Sequence, residues 1–191
     1  MNVTTQSLDP VTGAGLMNLE KAIDVYYLGT RELALDGGGS ISQNGWDAAT
    51  IGIGQSFDYV FSSSFNQAVS LSVALNWFSV REFDNLTSTG SDLAFSNLDL
   101  EVWSVDGGGQ FVSKIGESIS TYNNTEMLRF DWLNAGRYGL RVSFDETVFD
   151  TTGTVNSEYF GLAWSTTLVP EPGSSLLALS GSLMFVLRRR R

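Results

Sequence analysis

The sequence predicts a mainly β protein, an antiparallel β-sandwich with one N-terminal helix and a C-terminal apolar helix. Three observations carry that prediction. Twenty glycines in 191 residues, among many Ser, Thr and Asn, favour turns over long helices. Apolar content of 42% with 12% aromatics is enough for one packed core. Above all, apolar residues recur with a period of two in several separate segments, as half-buried strands require.

In chain order, Asp9 to Gly15 is turn chemistry, and Leu16, Leu19, Ile23 and Tyr26 or Tyr27 fall at helical spacing before Gly29. The spacing predicts an amphipathic helix over residues 15–28. From Arg31 to Asp58, Gly37 to Gly39, Asn44-Gly45 and Gly52 to Gly54 break the chain into loops with brief strands. Trp46 is read there as a plug at the edge of the core rather than a sugar-stacking ring. The clearest strand places Val69, Leu71, Val73, Leu75 and Trp77 on one face. The same alternation returns in Leu98, Leu100 and Val102; in Leu128, Phe130 and Trp132; in Tyr138, Leu140, Val142 and Phe144; and in Phe160, Leu162 and Trp164. Asp106-Gly107 and Asn134-Ala135-Gly136 supply tight turns. With residues 58–61 and 111–114 the total is about seven or eight strands, as a two-sheet antiparallel domain needs.

Two stretches resemble known families. Gly13-Ala14-Gly15-Leu16-Met17-Asn18-Leu19-Glu20-Lys21-Ala22 resembles a late scaffold helix of subtilisin-like serine proteases, which implies no catalytic role for these positions. Residues 45–166, through Leu98 to Trp103, Leu133 to Val142 and Tyr159 to Trp164, resemble the jelly-roll domain that follows secreted bacterial peptidases. That resemblance implies a jelly-roll-like sandwich, which in that family also occurs as a free-standing surface module.

Composition excludes several chemistries. The chain has no histidine and no cysteine, so it cannot build a Ser-His-Asp triad, a Cys-His pair or an ordinary zinc site. Paired carboxylates could in principle hydrolyse glycosides, but no two are marked by spacing. Four of the eleven basic residues are Arg188 to Arg191; the rest of the chain sets seven Lys and Arg against 21 Asp and Glu, a balance of −14. Such a body repels nucleic acid and anionic membrane surfaces. Residues 84–92 form an oxygen-rich loop read first as a solvated connection; the alternative is a calcium site using Asp84, Asp92 and Asp99. No other cofactor is expected. Asp99 and Glu101 are expected to pair across strands with Arg129 or Arg141, and Trp103 on the same face is read as a covered aromatic rather than a sugar platform.

The last stretch is an address. Pro170 and Pro172 remove backbone donors and hold Val169 to Pro172 extended, outside any helix or sheet. Leu176 to Leu187 holds twelve uncharged residues, about 18 Å of helix, a short span for a bilayer core of about 30 Å. Arg188, Arg189, Arg190 and Arg191 favour the cytoplasmic side and set the orientation. Val169, Pro170, Glu171, Pro172 and Ser174, followed by that apolar segment and the arginines, resemble the PEP-CTERM sorting tail of Gram-negative bacteria, with Gly173 where the family more often has Ser or Ala. The resemblance implies an exosortase as partner, the membrane as a transient or permanent anchor, and an exopolysaccharide matrix as a further partner.

The chain then divides into a helical segment (1–30), a sandwich (31–167) and a sorting tail (168–191). Met1 to Pro10 has neither the basic nor the apolar region of a signal peptide, so the chain is expected to be a fragment, a start assigned too late, or a remnant. The expected function is a non-catalytic exported surface or matrix protein, not an enzyme. The alternatives are the accessory end of a subtilisin-like protease and a calcium- or glycan-binding module.

Overall fold

A computed structural model describes residues 19–28, 30–32, 37–84 and 89–169. A short helix α1 (Leu19–Ile23) runs into a π-helical turn (Asp24–Leu28). Eleven strands follow among the described residues: β1 (Thr30–Glu32), β2 (Gly39–Ile41), β3 (Asn44–Gly52), β4 (Ser56–Phe61), β5 (Val69–Trp77), β6 (Val80–Asp84), β7 (Thr89–Val105), β8 (Phe111–Ser118), β9 (Thr125–Leu133), β10 (Tyr138–Asp150) and β11 (Ser157–Leu168). They form two sheets. One has the order β1-β3-β11-β5-β9; the other has β2-β4-β10-β7-β6, with β8 also on β7. β7 is long enough to carry β6 along residues 89–94 and β8 along 100–105, on the edge opposite β10.

A single core draws on both sheets. Val69, Leu71, Val73, Leu75 and Trp77 of β5, with Phe160, Leu162 and Trp164 of β11, face Leu98, Leu100 and Val102 of β7 and Leu140, Val142 and Phe144 of β10. The period-two alternation in these segments is the reason each strand has one apolar face to bury. Polar side chains then stitch one sheet to the other. Trp77 Nε1 donates to the Ser96 carbonyl at 2.9 Å, the Tyr59 hydroxyl donates to Asp47 Oδ2 at 2.7 Å, and Ser96 Oγ donates to Glu158 Oε2 at 2.7 Å. Ser118 Oγ at the end of β8 donates to Glu126 Oε2 of β9. Each bond sits where an unpaired buried group would cost more than the bond itself contributes.

Several expectations change. The helix predicted over 15–28 is a helical turn and a π turn over 19–28, with residues 15–18 outside the described residues. Its packed side is only in part the expected one. Leu19, Ile23 and Tyr27 are exposed, whereas Ala22 and Val25 line a groove and Tyr26 stacks on Trp46 at 6.2 Å with near-parallel rings. Asn44-Gly45 is not a turn but the start of β3, whose inward residues are Gly45, Asp47, Ala49 and Ile51. A buried aspartate in that row hides the alternation. In β9 the buried residue near the end is Leu133, not Trp132, because the β5–β9 register slips between Val69 and Leu71. Asp106-Gly107 does turn β7 into β8, with Asp106 Oδ1 accepting from the Gly108 and Gln110 amides. Asn134 to Gly136 instead carries the chain from one sheet to the other, since β9 and β10 are not neighbours.

No helix among the described residues is long and apolar enough to cross a membrane. The expected span, Leu176 to Leu187, lies outside them.

Candidate functional site

Of the sorting motif, Val169 alone is described. Its amide donates to the Ala68 carbonyl at 2.9 Å, one residue beyond the end of β11. Pro170, Glu171, Pro172 and Ser174, and the orientation residues Arg188, Arg189, Arg190 and Arg191, lie outside the described residues. The prolines have no amide with which to lengthen the β11 ladder.

The three candidate calcium ligands are not brought together. Asp84 and Asp92 belong to the exposed β6–β7 hairpin, where Asp92 binds Arg81 at 2.6 Å. Asp99 is seven positions further along the same strand, about 20 Å away, whereas calcium needs oxygens within about 2.5 Å. Residues 85–88 of that loop are outside the described residues. No group of three or more Asp, Glu, His or Cys among the described residues could hold a metal ion.

The outward face of the second sheet carries a charged aromatic cluster. Trp103 lies beside Phe111, with ring centroids 5.9 Å apart, and the Arg141 guanidinium sits 4.8 Å from the centre of Phe111 and 5.5 Å from that of Trp103. Glu101 accepts from Trp103 Nε1 at 2.7 Å and binds Lys114 at 2.5 Å. Its bonds to Glu101 and then to Glu117 raise the pKa of Lys114. Arg141 stands opposite Glu101 in register, yet its two-pronged bond goes to Asp58, at 2.7 and 2.8 Å. Arg129 binds Asp131. In place of the expected pairing of Asp99 and Glu101 with Arg129 or Arg141, Glu101 binds Lys114 of β8, Arg141 binds Asp58 of β4, and Arg129 binds Asp131 on its own strand. The half-buried Trp103 agrees with the covered aromatic the sequence suggested.

The cluster rests on Gly139, where a Cβ would come within 2.6 Å of Phe111 Cε1 and 3.0 Å of the Tyr59 carbonyl oxygen. Gly139→Ala is expected to cost about 2 kcal/mol, read as a lower denaturation midpoint with unchanged slope. Wild-type stability in that variant would mean the ring does not lie against the strand.

On the first sheet, register aligns Trp46, Ala163, Ala74 and Met127 in one outward row, and Asn44, Ser165, Ser72 and Arg129 in the next. Small side chains in the middle of both rows leave a groove of about 500 Å³ beside Lys21, Ala22 and Val25. Its floor is chemically plain, and it gathers no acid–base pair.

A further group of carboxyl residues was not marked by any motif. Glu126 is 1% exposed and accepts from Ser118 Oγ and from the Ser120 amide at 2.7 Å. Burial raises its pKa, and those two bonds oppose the rise. Burial first, then the like charges of Asp145 of β10 and Glu126, push Asp99 of β7 up to about 7. The available sequence signal was phase, since Glu126 occupies an inward position two residues before Leu128.

No family model matches the chain, and no curated protein matches it. Among solved structures it is similar to PliG of Aeromonas hydrophila, a periplasmic inhibitor of g-type lysozyme, at 10% identity and a TM-score of 0.37, over 69% of this chain and 99% of that one. It is also similar to the insecticidal delta-endotoxin Cry8Ea1 of Bacillus thuringiensis, at 12% identity and a TM-score of 0.31, over 63% of this chain and 20% of that one. The chain thus spans about a fifth of the toxin's length. Likeness at this level carries no argument about function.

Proposed function

We propose that this chain is a non-catalytic, exported surface or matrix protein whose tail is read and processed by an exosortase-type membrane enzyme. The observation that carries the proposal is the run Val169-Pro170-Glu171-Pro172-Gly173-Ser174, followed by the apolar segment 176–187 and then four arginines. Glu171 offers one charge between two rigid residues, the apolar segment holds it at membrane depth, and the arginines orient it. Among the described residues the β11 ladder runs to Leu168, and the Val169 amide bonds the Ala68 carbonyl. Residues 1–167, with 7 Lys and Arg against 20 Asp and Glu, carry −13 and are held off anionic lipid, so attachment falls to the tail.

The body is read as a jelly roll. Its eight principal strands, β3, β4, β5, β7, β8, β9, β10 and β11, pair as β3-β11-β5-β9 and β4-β10-β7-β8. Numbered one to eight, that order is 1-8-3-6 and 2-7-4-5, which two interlocked Greek keys produce.

The test replaces Pro170, Glu171 and Pro172 by alanine and follows the protein by cell fractionation in an exosortase-bearing host, behind a working signal peptide. The variant is expected to stay in the inner membrane while the wild type leaves it. Equal release of both would sink the sorting assignment.

A further inference from the structure

The groove on the outer face of the first sheet differs in charge from the rest of the body. It encloses about 500 Å³ between Val25 of the π turn and Met127 of β9, over Ala74 of β5 and Ala163 of β11. Two cations, Lys21 and Arg129, line it and no carboxylate does, although residues 1–167 set 7 Lys and Arg against 20 Asp and Glu. Arg129 also holds Asp131, at the exposed edge of the sheet. The end of β11 lies beside the same groove. Lys21 Nζ is 3.5 Å from Thr167 Oγ1, two residues before Val169.

The chain beyond Val169 has the chemistry to fill it. At a helical period, Leu176, Leu179, Leu183 and Leu187 share one face, with Gly181 and Ser182 on the other. A helix is about 10 Å across with its side chains, so the groove admits that leucine ridge rather than a whole helix. Reach is sufficient. Ser165 lines the groove and stands four residues before Val169, about 13 Å back along β11. Residues 170–175 can span about 20 Å, and Gly173 lets the chain reverse within them. Charge selects this occupant over a second copy of the body. Residues 168–191, with four Arg and one Glu, carry +3 and are drawn to a body of −13, whereas two such bodies repel one another. Glu171, in the linker, is the carboxylate that can meet Lys21 at the rim.

We propose that residues 176–187 of this chain dock in the groove, leucine ridge inward, while the tail is out of the membrane, and leave it when the tail enters the bilayer. The groove then covers an apolar segment that water would otherwise expose. An exosortase would meet the tail only once the bilayer has drawn it out; that consequence rests on the sorting reading, and the docking itself does not.

The test is the binding of the full chain to vesicles of phosphatidylcholine, a neutral lipid, so that the charge of the body plays no part. Ala74→Glu sets a carboxylate on the groove floor at an exposed position, and Thr50→Glu makes an equivalent change on the same sheet outside the groove. Ala74→Glu is expected to bind about tenfold more tightly than wild type, as the fraction of chains with a released tail rises from about a tenth to nearly all. Thr50→Glu should match wild type. Equal binding by all three proteins would overturn the proposal, and so would an equal gain in both variants. No exosortase enters this assay, so its failure and the failure of the sorting reading are separate results. Should Ala74→Glu not fold, a disulfide decides, because the chain has no cysteine of its own. Ala74→Cys is combined with Ser180→Cys, beside the leucine ridge, and oxidised in dilute solution. A bond within one chain supports the docking. No bond refutes it, and a bond formed only between chains gives the groove to the tail of a second copy, which refutes it as well.

Discussion

Trp77→Ala is expected to lower the stability of this protein by about 4 kcal/mol, the largest effect of any single substitution considered. Trp77 is completely buried at the end of β5, and removing its ring opens a cavity that rigid strands cannot close. The indole also donates across the core to the Ser96 carbonyl, which would be left without that donor. Trp77 further exchanges backbone and side-chain bonds with Asn124, so the loss reaches the loop before β9. Denaturant unfolding checks this prediction, and Trp77→Phe serves as the companion. Phenylalanine keeps much of the volume and loses the hydrogen bond, so it should recover about half of the loss. A small effect for Trp77→Ala would mean that β5 is not the centre of the core.

Tyr59→Phe is expected to cost about 2 kcal/mol, although it removes a single oxygen. That oxygen is fully buried and donates to Asp47, which is itself 1% exposed on the facing strand. Burial, and then Asp47, push the Tyr59 hydroxyl far above its ordinary pKa, so it remains a donor at all ordinary pH. Without it a buried aspartate loses a strong bond that no water can replace. Asp47→Asn should be milder, because a neutral amide asks less of its surroundings. If Asp47→Asn proves the more damaging change, the negative charge itself, rather than the Tyr59 donor, is what the core is built around.

Much of the β architecture was legible in the sequence, and the exceptions have physical causes. β5 and β11 follow the simplest rule, alternate residues facing one core, and each is located by it; β9 follows it only as far as Phe130, before the register slip moves the buried position to Leu133. β7 and β10 were found by half, because beyond Ala94 and beyond Phe144 they leave the core and their side chains no longer alternate in burial. β3 was hidden by Asp47, a polar residue that faces inward because Tyr59 is there to meet it. That partner lies twelve residues away and on the other sheet, beyond the reach of local pattern. The same limit applies to the carboxyl residues. Asp99, Glu126 and Asp145 come from three strands, and nothing in the spacing of 99, 126 and 145 announces that Asp145 and Glu126 act on Asp99. Asp84 and Asp92 were grouped with Asp99 by closeness in sequence, which a straight strand converts into distance. The helical segment is a short α-turn and a π-turn among the described residues, and of its expected apolar face Tyr26 packs, on Trp46 of β3, while Leu19 and Ile23 are exposed. The expected sorting tail beyond Val169 lies outside the described residues, so its reading rests on the sequence alone.

Whether the tail is a sorting signal is decided by the intact mass of the chain, exported behind a signal peptide in hosts with and without an exosortase. The account predicts that the arginines and the apolar segment are lost only in the host with the enzyme, at a cut beyond Val169 that leaves both sheets complete. A chain that keeps its full mass and remains in the inner membrane of both hosts would contradict it. The tail would then be an anchor alone, and the function would have to be sought on the two sheet faces.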